Sequence, residues 1–347
     1  MTLPHNISFT SLGLVVLDEI RFPSREPLTD VLGGSGAYAT FGARLFLPAP
    51  SNPSLGWILH RGKDFPDTTL DLLRSWDTAL VVEKELNKPS TRGLLEYKDT
   101  TMGPKVFKDT TPIHQVLVSS LKGTPLLASG AYHYLESPHG PKDRFTDLLA
   151  LRESEGVLKR PLIIWQPAPP VCKAENLQAC LDAARMVDVF SPNHLELATL
   201  FGKSPSSALD KGEIETRAQR FLDSGVGPEG EEVVVIRAGE HGCVVGARHI
   251  PFTWLPTFYK PGPAWEHDAK VVDPTEAGNA FLGAYAIGYL STGDATEAAC
   301  YGSVGASFAL GQIGIPTRSS NASGELWNGE PVFSRLREYQ QFAGLPK

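Results

Sequence analysis

The chain has 347 residues, of which 41% are hydrophobic, and this length suits one large α/β domain with an appendage. Its net charge of −7 argues against a general nucleic-acid-binding or anionic-membrane surface. Its four cysteines form no Cys-x-x-Cys pair and its first residues lack the pattern of a signal peptide, so we expect a cytoplasmic protein with reduced thiols.

Apolar runs of strand length alternate with helical patterns along the chain. Strands are predicted at 9–17, 55–59, 79–83, 125–130, 161–167, 187–193, 232–239 and 242–247. Helices are predicted at 36–46, 175–186, 194–202 and 215–225, with an amphipathic closing helix at 330–342. This alternation is typical of βαβ units, so we expect a mostly parallel, buried sheet.

Two segments, 18–30 and 91–111, break this alternation because they mix polar and apolar residues and carry glycine and proline at turn positions. The second segment reads as an amphipathic hairpin that turns near 102–104. A hairpin outside the main sheet can cover a pocket, and it can equally be an ordinary surface hairpin.

Two glycine-rich stretches suggest nucleotide binding but fail their motifs. Residues 32–45 carry a Gly-x-Gly-x-x-Ala pattern without the preceding strand or the following acidic residue of a dinucleotide site. Residues 202–204 read Gly-Lys-Ser, but Leu197 occupies the position where a P-loop needs glycine. The pair Gly33-Gly34 either lets the backbone pass close to a small ligand or forms a structural turn.

The stretch DPTEAGNAFLGAYAIGY (273–289) reads as the start of a helix. Asp273 suits the cap position, Pro274 the first helical position and Glu276 the third, which together predict a capping box. Small residues at a helix start also admit a phosphate group, because the first N–H groups lack partners there. Capping and phosphate binding both remain open for this turn.

Five segments in this order resemble the ribokinase-like (PfkB) carbohydrate kinases. They are Asp18 after the first strand, Gly33-Gly34, SPNHLE (191–196), VVVIRAGEHGCVV (233–245) and VVDPTEAGNAFLGA (271–284). The segment IIWQPAPP (163–170) also resembles a mid-chain strand of that family. The resemblance extends from about residue 9 to residue 314, and in detail it is to a divergent fungal branch that includes a killer-virus maintenance protein.

The resemblance implies a single domain over 1–347, folded as a three-layer α/β/α sandwich. Its mostly parallel central sheet would have about nine strands, and the segments 18–30 and 91–111 would form a small β lid. The implied activity is phosphoryl transfer from ATP with Mg²⁺ to a primary hydroxyl of a sugar or nucleoside. Dimers formed through the lid are frequent in that family.

The resemblance also assigns site residues. Asp18, Gly33, Gly34 and Tyr38 would contact the substrate. The nucleotide or its phosphates would contact Asn193, Arg237, Gly239, Gly242, Asp273, Ala277 and Gly278. Glu196 would hold Mg²⁺ through water, and residues 250–270 with the helix after Ala295 would border the adenine.

Four positions depart from the family pattern, all around the implied chemistry. Asn279 replaces the aspartate that takes the proton from the attacking hydroxyl, and Glu276 replaces glycine or another small residue. Tyr38 replaces a substrate-binding asparagine, and Arg237 replaces a threonine. We expect Glu276 and Arg237 to form an ion pair, unless Glu276 only completes the capping box.

These departures leave three hypotheses for function. The chain is a kinase that works without the usual base, or a kinase-like protein that binds a nucleotide or sugar without turnover. In the third, Glu276 serves as the acid or base of glycosidic bond cleavage. The sequence identifies neither the substrate nor the oligomeric state.

Overall fold

The computed structural model describes residues 7–99, 105–138, 141–204, 209–259, 270–322 and 324–344. The strands of the central sheet are β1 (Phe9–Ser11), β4 (Leu55–Gly62), β5 (Ala79–Glu85), β8 (Ala131–Glu136), β9 (Leu162–Pro167), β10 (Val189–Phe190), β11 (Val233–Arg237), β12 (Cys243–Ala247) and β13 (Ile250–Leu255). The remaining strands are β2 (Val16–Phe22), β3 (Arg25–Gly33), β6 (Arg92–Tyr97), β7 (Lys105–Asp109), β14 (Arg318–Asn321) and β15 (Gly324–Trp327). The helices are α1 (Ser35–Leu45), α2 (Asp67–Arg74), α3 (Pro141–Ser154), α4 (Leu177–Ala184), α5 (His194–Leu200), α6 (Lys211–Ser224), α7 (Ala277–Thr292), α8 (Ala295–Leu310) and α9 (Val332–Phe342).

The central sheet has nine strands in the order β13-β12-β11-β10-β9-β8-β1-β4-β5. Every neighbouring pair from β11 to β5 is parallel, and only β12 and β13 run antiparallel to their neighbours. Long crossover connections of this kind place helices on the sheet faces. The predicted mostly parallel α/β fold is therefore confirmed.

Two apolar cores cover the two faces of this sheet. One contains side chains of α1, α2, α7, α8 and α9, and the other contains side chains of α3, α4, α5 and α6. Two helical layers with one sheet between them make the three-layer arrangement that the sequence predicts. Within the described ranges, no helix is long and apolar enough to cross a membrane.

A second sheet lies apart from the central one. It has four strands in the order β3-β2-β6-β7, and it contains most of the two segments that break the sequence alternation. Residues 91–111 thus lie outside the central sheet, although the turn predicted at 102–104 falls outside the described residues.

Two strand predictions were misplaced. The run 9–17 divides near Gly13 between the two sheets. At this glycine the backbone passes so close to the start of α1 that a Cβ would lie 2.4 Å from Ser35 Oγ and 2.6 Å from the Gly36 nitrogen. The run 125–130 forms a 3₁₀ turn over Pro125–Ala128, and the strand follows it as β8. Proline at the first position favours this helical turn over a ladder that needs its N–H.

Glycines set how closely α1 and α7 pack. A Cβ at Gly42 would lie 2.0 Å from the Ala280 carbonyl oxygen, and a Cβ at Gly283 would lie 1.8 Å from the Ala39 carbonyl oxygen. Only glycine allows two backbones to approach this closely. These contacts fix the packing of α1 against α7, and the first turns of both helices contain predicted site residues.

Candidate active site at the starts of two helices

The helix α7 begins three residues later than the sequence predicts. Its N-cap is Glu276, which has the left-handed backbone of φ 65° and ψ −8°, and no side chain caps the helix. Asp273 instead accepts a bond from the Thr275 N–H at 2.9 Å in a turn of its own. The predicted capping box is therefore wrong, because the left-handed residue interrupts the helical path after Thr275.

The backbone of Glu276 has the conformation that glycine adopts freely. A non-glycine residue in this region costs ~1–2 kcal/mol, because its Cβ crowds the following carbonyl oxygen. The family pattern has glycine or another small residue at this position. The chain therefore has a backbone conformation that suits glycine, and Glu276 is strained in it. Backbone strain at a candidate site motivates the role proposed below for this carboxylate.

The carboxylate of Glu276 lies between the starts of α1 and α7. It accepts hydrogen bonds from the Asn279 side-chain amide and from the Gly34 backbone N–H. Burial, and secondarily the charge of Asp273, raises the pKa of Glu276, although the two hydrogen bonds and Lys105 oppose this shift. The arrangement places a titratable carboxylate beside the paired glycines, where it is hydrogen-bonded to the Asn279 side chain.

Asp18 lies on the other side of the paired glycines, in β2. A Cβ at Gly33 would lie 2.0 Å from Asp18 Oδ2, and a Cβ at Gly93 would lie 2.4 Å from Asp18 Oδ1. Asp18 Oδ1 is buried and has no hydrogen-bond partner. Burial, together with the charges of Glu276 and Asp273, raises its pKa to about 7. A buried, unpaired carboxylate oxygen suits the recognition of a hydroxyl group.

This raised pKa makes the stability of the chain depend on pH. The folded state keeps the Asp18 proton up to pH about 7, whereas an unfolded chain loses it near 3.8. The stability it contributes is therefore lost as the pH rises through this window, by up to ~4 kcal/mol. We expect Asp18→Asn to remove this dependence and to unfold at higher urea concentration than the wild type at pH 8. The control Asp71→Asn, at an exposed position, should leave the pH dependence and the urea midpoint unchanged. Equal urea midpoints of Asp18→Asn and the wild type at pH 8 would contradict the prediction.

Tyr97 and Lys105 of the second sheet hold the segment before α7. The Tyr97 hydroxyl donates to Asp273 Oδ1 at 3.0 Å and lies 3.2 Å from Thr275 Oγ1. The Lys105 ammonium donates to Thr275 Oγ1, and burial lowers its pKa despite the nearby charges of Asp273 and Glu276. The sequence interpretation missed both residues. They are paired across β6 and β7, and no local sequence signal marks their contacts with the segment before α7.

Arg237 does not pair with Glu276, so the predicted ion pair is wrong. Its Nη2 lies 3.6 Å from Glu196 Oε2 and donates to the Ser191 carbonyl at 2.9 Å. The two side chains point in different directions. Arg237 ends β11 beside Asn193, at the start of α5, whereas the Glu276 carboxylate points towards α1. Its Nη1 still reaches α7, where a Cβ at Gly278 would lie 2.0 Å away.

The other predicted residues surround these contacts. Asn193 caps α5, and its Oδ1 accepts bonds from the N–H groups of Leu195 and Glu196. Tyr38 is buried in the first turn of α1, and its pKa is raised by burial and by the charge of Glu276. Gly239 and Gly242 form the turn after β11 with φ of 58° and 85°. Of the stretch predicted to border adenine, 260–269 falls outside the described residues.

The site fits an anion better than it fits a metal ion. The N–H groups of Ala277 and Gly278 have no acceptor in the described part of the chain, and Arg237 lies beside them. Glu196, by contrast, already accepts the Asn193 N–H at 2.7 Å and faces Arg237. Among the described residues, no group of three acidic, histidine or cysteine side chains could hold a metal.

Comparison with known proteins identifies relatives along the whole chain. A family model described as pfkB family carbohydrate kinase matches residues 113–321, more than half of the chain. An uncharacterised protein of Schizosaccharomyces pombe is 33% identical over 97% of this chain and 94% of its own length. Protein MAK32 of Saccharomyces cerevisiae is 28% identical over 96% of this chain and 92% of its own length.

Solved structures share the fold at low sequence identity. Ribokinase from Giardia lamblia is similar with a TM-score of 0.69 and 14% identity, covering 97% of this chain and 99% of that one. An Escherichia coli protein described as a ribokinase II, solved with ATP and Mg²⁺, has a TM-score of 0.63 and 16% identity, covering 96% of this chain and 99% of that one. At these identities the likeness establishes the fold alone.

Proposed function

Because the chain belongs to the pfkB family of carbohydrate kinases, we propose that it transfers a phosphoryl group from ATP to a hydroxyl group of a sugar or nucleoside. ATP supplies the phosphoryl group, and the chain's own residues hold the two reactants and move the proton. The proposal departs from the family pattern in one respect: Glu276, and not residue 279, accepts that proton.

The observation that carries the proposal is the position of the Glu276 carboxylate. It is hydrogen-bonded to Asn279, the residue that replaces the family's aspartate, and to Gly34 of the glycine pair. A base must lie within hydrogen-bond reach of the proton it abstracts. Glu276 thus places a carboxylate next to position 279, from three residues earlier in the chain. Burial raises the pKa of this carboxylate, which makes it a stronger base.

The substrate side of the proposed site is built from α1 and the second sheet. Asp18 accepts hydrogen bonds from substrate hydroxyls, and Gly33 and Gly34 leave room for a sugar ring against the backbone. Tyr38, which replaces a polar family residue, reshapes this side and restricts which hydroxylated metabolite enters. The phosphate side is formed by Ala277, Gly278 and Arg237, which offer hydrogen-bond donors and positive charge.

A second candidate function, ligand binding without turnover, has its own supporting observation. The Glu276 carboxylate already occupies the Gly34 N–H, and the amide of Asn279 cannot accept a proton at neutral pH. A ligand would then have to displace Glu276 to reach the glycine pair. Glycosidic bond cleavage by Glu276 has less support. That reaction needs a second carboxylate with a defined role, and no observation assigns this role to a residue of the site.

Turnover with a panel of sugars and nucleosides separates these functions. ATP, Mg²⁺ and each acceptor are incubated with the protein, and phosphorylated product is measured by mass spectrometry alongside ADP release. One acceptor that gains a phosphoryl group stoichiometric with ADP supports the kinase. Calorimetric binding of ATP or an acceptor without any product over the whole panel supports the binding protein and overturns our proposal.

We also propose that the protein is cytoplasmic and that it forms a dimer through the second sheet. Strand β7 is an edge strand, and Val106 and Phe107 on it are 46% and 52% exposed. These two exposed apolar side chains are suited to contact with a second copy. Light scattering should give twice the chain mass for the wild type and the mass of one chain for Phe107→Asp. A wild type that elutes as one chain would contradict this proposal.

A further inference from the structure

Arg237 is a buried cation at the start of α7, where the family pattern has no charge. The residue is only 9% exposed. Its Nε lies 3.3 Å from Ser191 Oγ and its Nη2 donates to the Ser191 carbonyl, so the guanidinium is fixed in orientation. A positive charge beside a helix N-terminus is unfavourable, because that end of the helix is itself positive. An anion beside the guanidinium offsets this cost.

One edge of this guanidinium is unused. Nη1 has no hydrogen-bond partner among the described residues, and it lies against the Cα of Gly278. The N–H groups of Ala277 and Gly278 also lack acceptors in the described ranges. Three donors without acceptors in the described ranges therefore lie at the start of a 16-residue helix, and N–H groups of these kinds are the donors that phosphate oxygens accept from.

The opposite edge of the guanidinium faces Glu196. This carboxylate is 6% exposed, caps the Asn193 N–H and lies 3.6 Å from Nη2. Its charge is thus offset within the protein, and its hydrogen-bonding capacity is partly used. A magnesium ion held through water at Glu196 would have to compete with a fixed guanidinium, which repels it.

We propose that Arg237 replaces the divalent cation at this site, so that polyphosphate anions bind there without Mg²⁺. The inference rests on the proposed function in one respect, the identification of the anion as a nucleotide. It does not require that the protein transfers a phosphoryl group. Guanidinium groups match phosphate oxygens through two parallel N–H donors, whereas a metal needs free carboxylates to hold it. According to this proposal, Glu196 forms an internal ion pair with Arg237 and does not hold the predicted magnesium ion.

The two explanations predict opposite effects at Glu196. If magnesium bridges Glu196 to the phosphates, Glu196→Gln weakens nucleotide binding. If Arg237 carries the charge, Glu196→Gln frees the guanidinium from its internal partner and leaves binding unchanged or stronger. Arg237→Gln should weaken binding at least ~10-fold, since charge-assisted hydrogen bonds are lost.

Calorimetry with pyrophosphate and with ATP, each in EDTA and in Mg²⁺, tests the proposal. The variants are Arg237→Gln, Glu196→Gln, the double variant, and Arg248→Gln as a control that removes one exposed charge at the opposite end of β11 and β12. The double variant buries no unpaired charge, so it should keep the wild-type melting temperature and still fail to bind. It separates a lost anion site from a lost fold.

The proposal is supported if the wild type binds pyrophosphate and ATP with equal affinity in EDTA and in Mg²⁺, and if this affinity falls only when Arg237 is replaced. Binding that requires Mg²⁺, binding that falls with Glu196→Gln, or an Arg237→Gln variant that binds normally overturns it. A wild type that binds neither ligand in either buffer also overturns it. Because affinity is measured without any acceptor, absence of phosphoryl transfer would count against the proposed function and leave this inference standing.

Discussion

Replacing Glu276 with glutamine is expected to lower phosphoryl transfer by ~10²–10⁴-fold, the usual contribution of a general base. The amide retains the shape of the side chain, and it can still bond to Asn279 and Gly34 after reorientation. ATP affinity should stay within a few-fold of the wild type, because Arg237 and the first N–H groups of α7 are unchanged. The measurements are turnover with the best acceptor from the panel and calorimetry with ATP.

The pH dependence of turnover provides a second measure of the same residue. A base acts only when deprotonated, and burial raises the pKa of Glu276 above its ordinary value. The wild-type rate should therefore fall as the pH falls through that raised pKa. The residual rate of Glu276→Gln should lack this inflection. Glu213→Gln, an exposed glutamate in the first turn of α6, is the matched control and should change neither the rate nor its pH profile.

The direction of the effect distinguishes the two functions. If Glu276 only blocks the glycine pair, removing its charge loosens its hold on the Gly34 N–H. Acceptor affinity would then rise in Glu276→Gln, and any measurable turnover would rise with it. An increase in both quantities would reject the catalytic role and favour the binding protein.

The fold could be predicted from the sequence because its signals are local and repeated. Short apolar runs that alternate with helical patterns leave few options besides a mostly parallel sheet between two helical layers. The first strand was less predictable, since its apolar run continues through Gly13 into the second sheet. The close approach of α1 at that glycine is a contact between residues distant in sequence, which the local pattern does not reveal.

The site was predicted in its composition and less well in its contacts. Paired glycines, Asn193 with Glu196 and the segment before Asn279 could be recognised from their order along the chain. The left-handed backbone of Glu276 could not, because the residues Asp273, Pro274 and Glu276 satisfy the pattern of a capping box. The partner of Arg237 depended on which way two long side chains turn, and local sequence does not encode this.

The contacts from the second sheet are a further case. Tyr97 and Lys105 belong to strands whose pattern predicts only a half-buried hairpin. Their hydrogen bonds to Asp273 and Thr275 join residues that are 176 and 170 positions apart in the sequence. Such contacts follow from how the second sheet is placed against α7, which is a property of the tertiary structure.

Restoring the family's base tests whether the site still supports that chemistry. Asn279→Asp alone should be less stable than the wild type, because it removes the amide that bonds to Glu276 and brings two carboxylates together. One of the two must then take up a proton or be destabilised by its neighbour. Glu276→Gly alone should be more stable by about 1 kcal/mol, since glycine adopts the left-handed backbone without strain.

The double variant Asn279→Asp with Glu276→Gly combines a relaxed backbone with a carboxylate at the family's position. Turnover of the double variant should exceed that of Glu276→Gly by at least ~10-fold, because a general base is regained. Urea unfolding of the four chains provides the stability comparison, and calorimetry with ATP provides the control for binding. If the double variant binds ATP and an acceptor as the wild type does but turns over no faster than Glu276→Gly, the carboxylate at 279 cannot act in this site. Proton transfer would then depend on the carboxylate at position 276, as in the wild-type chain.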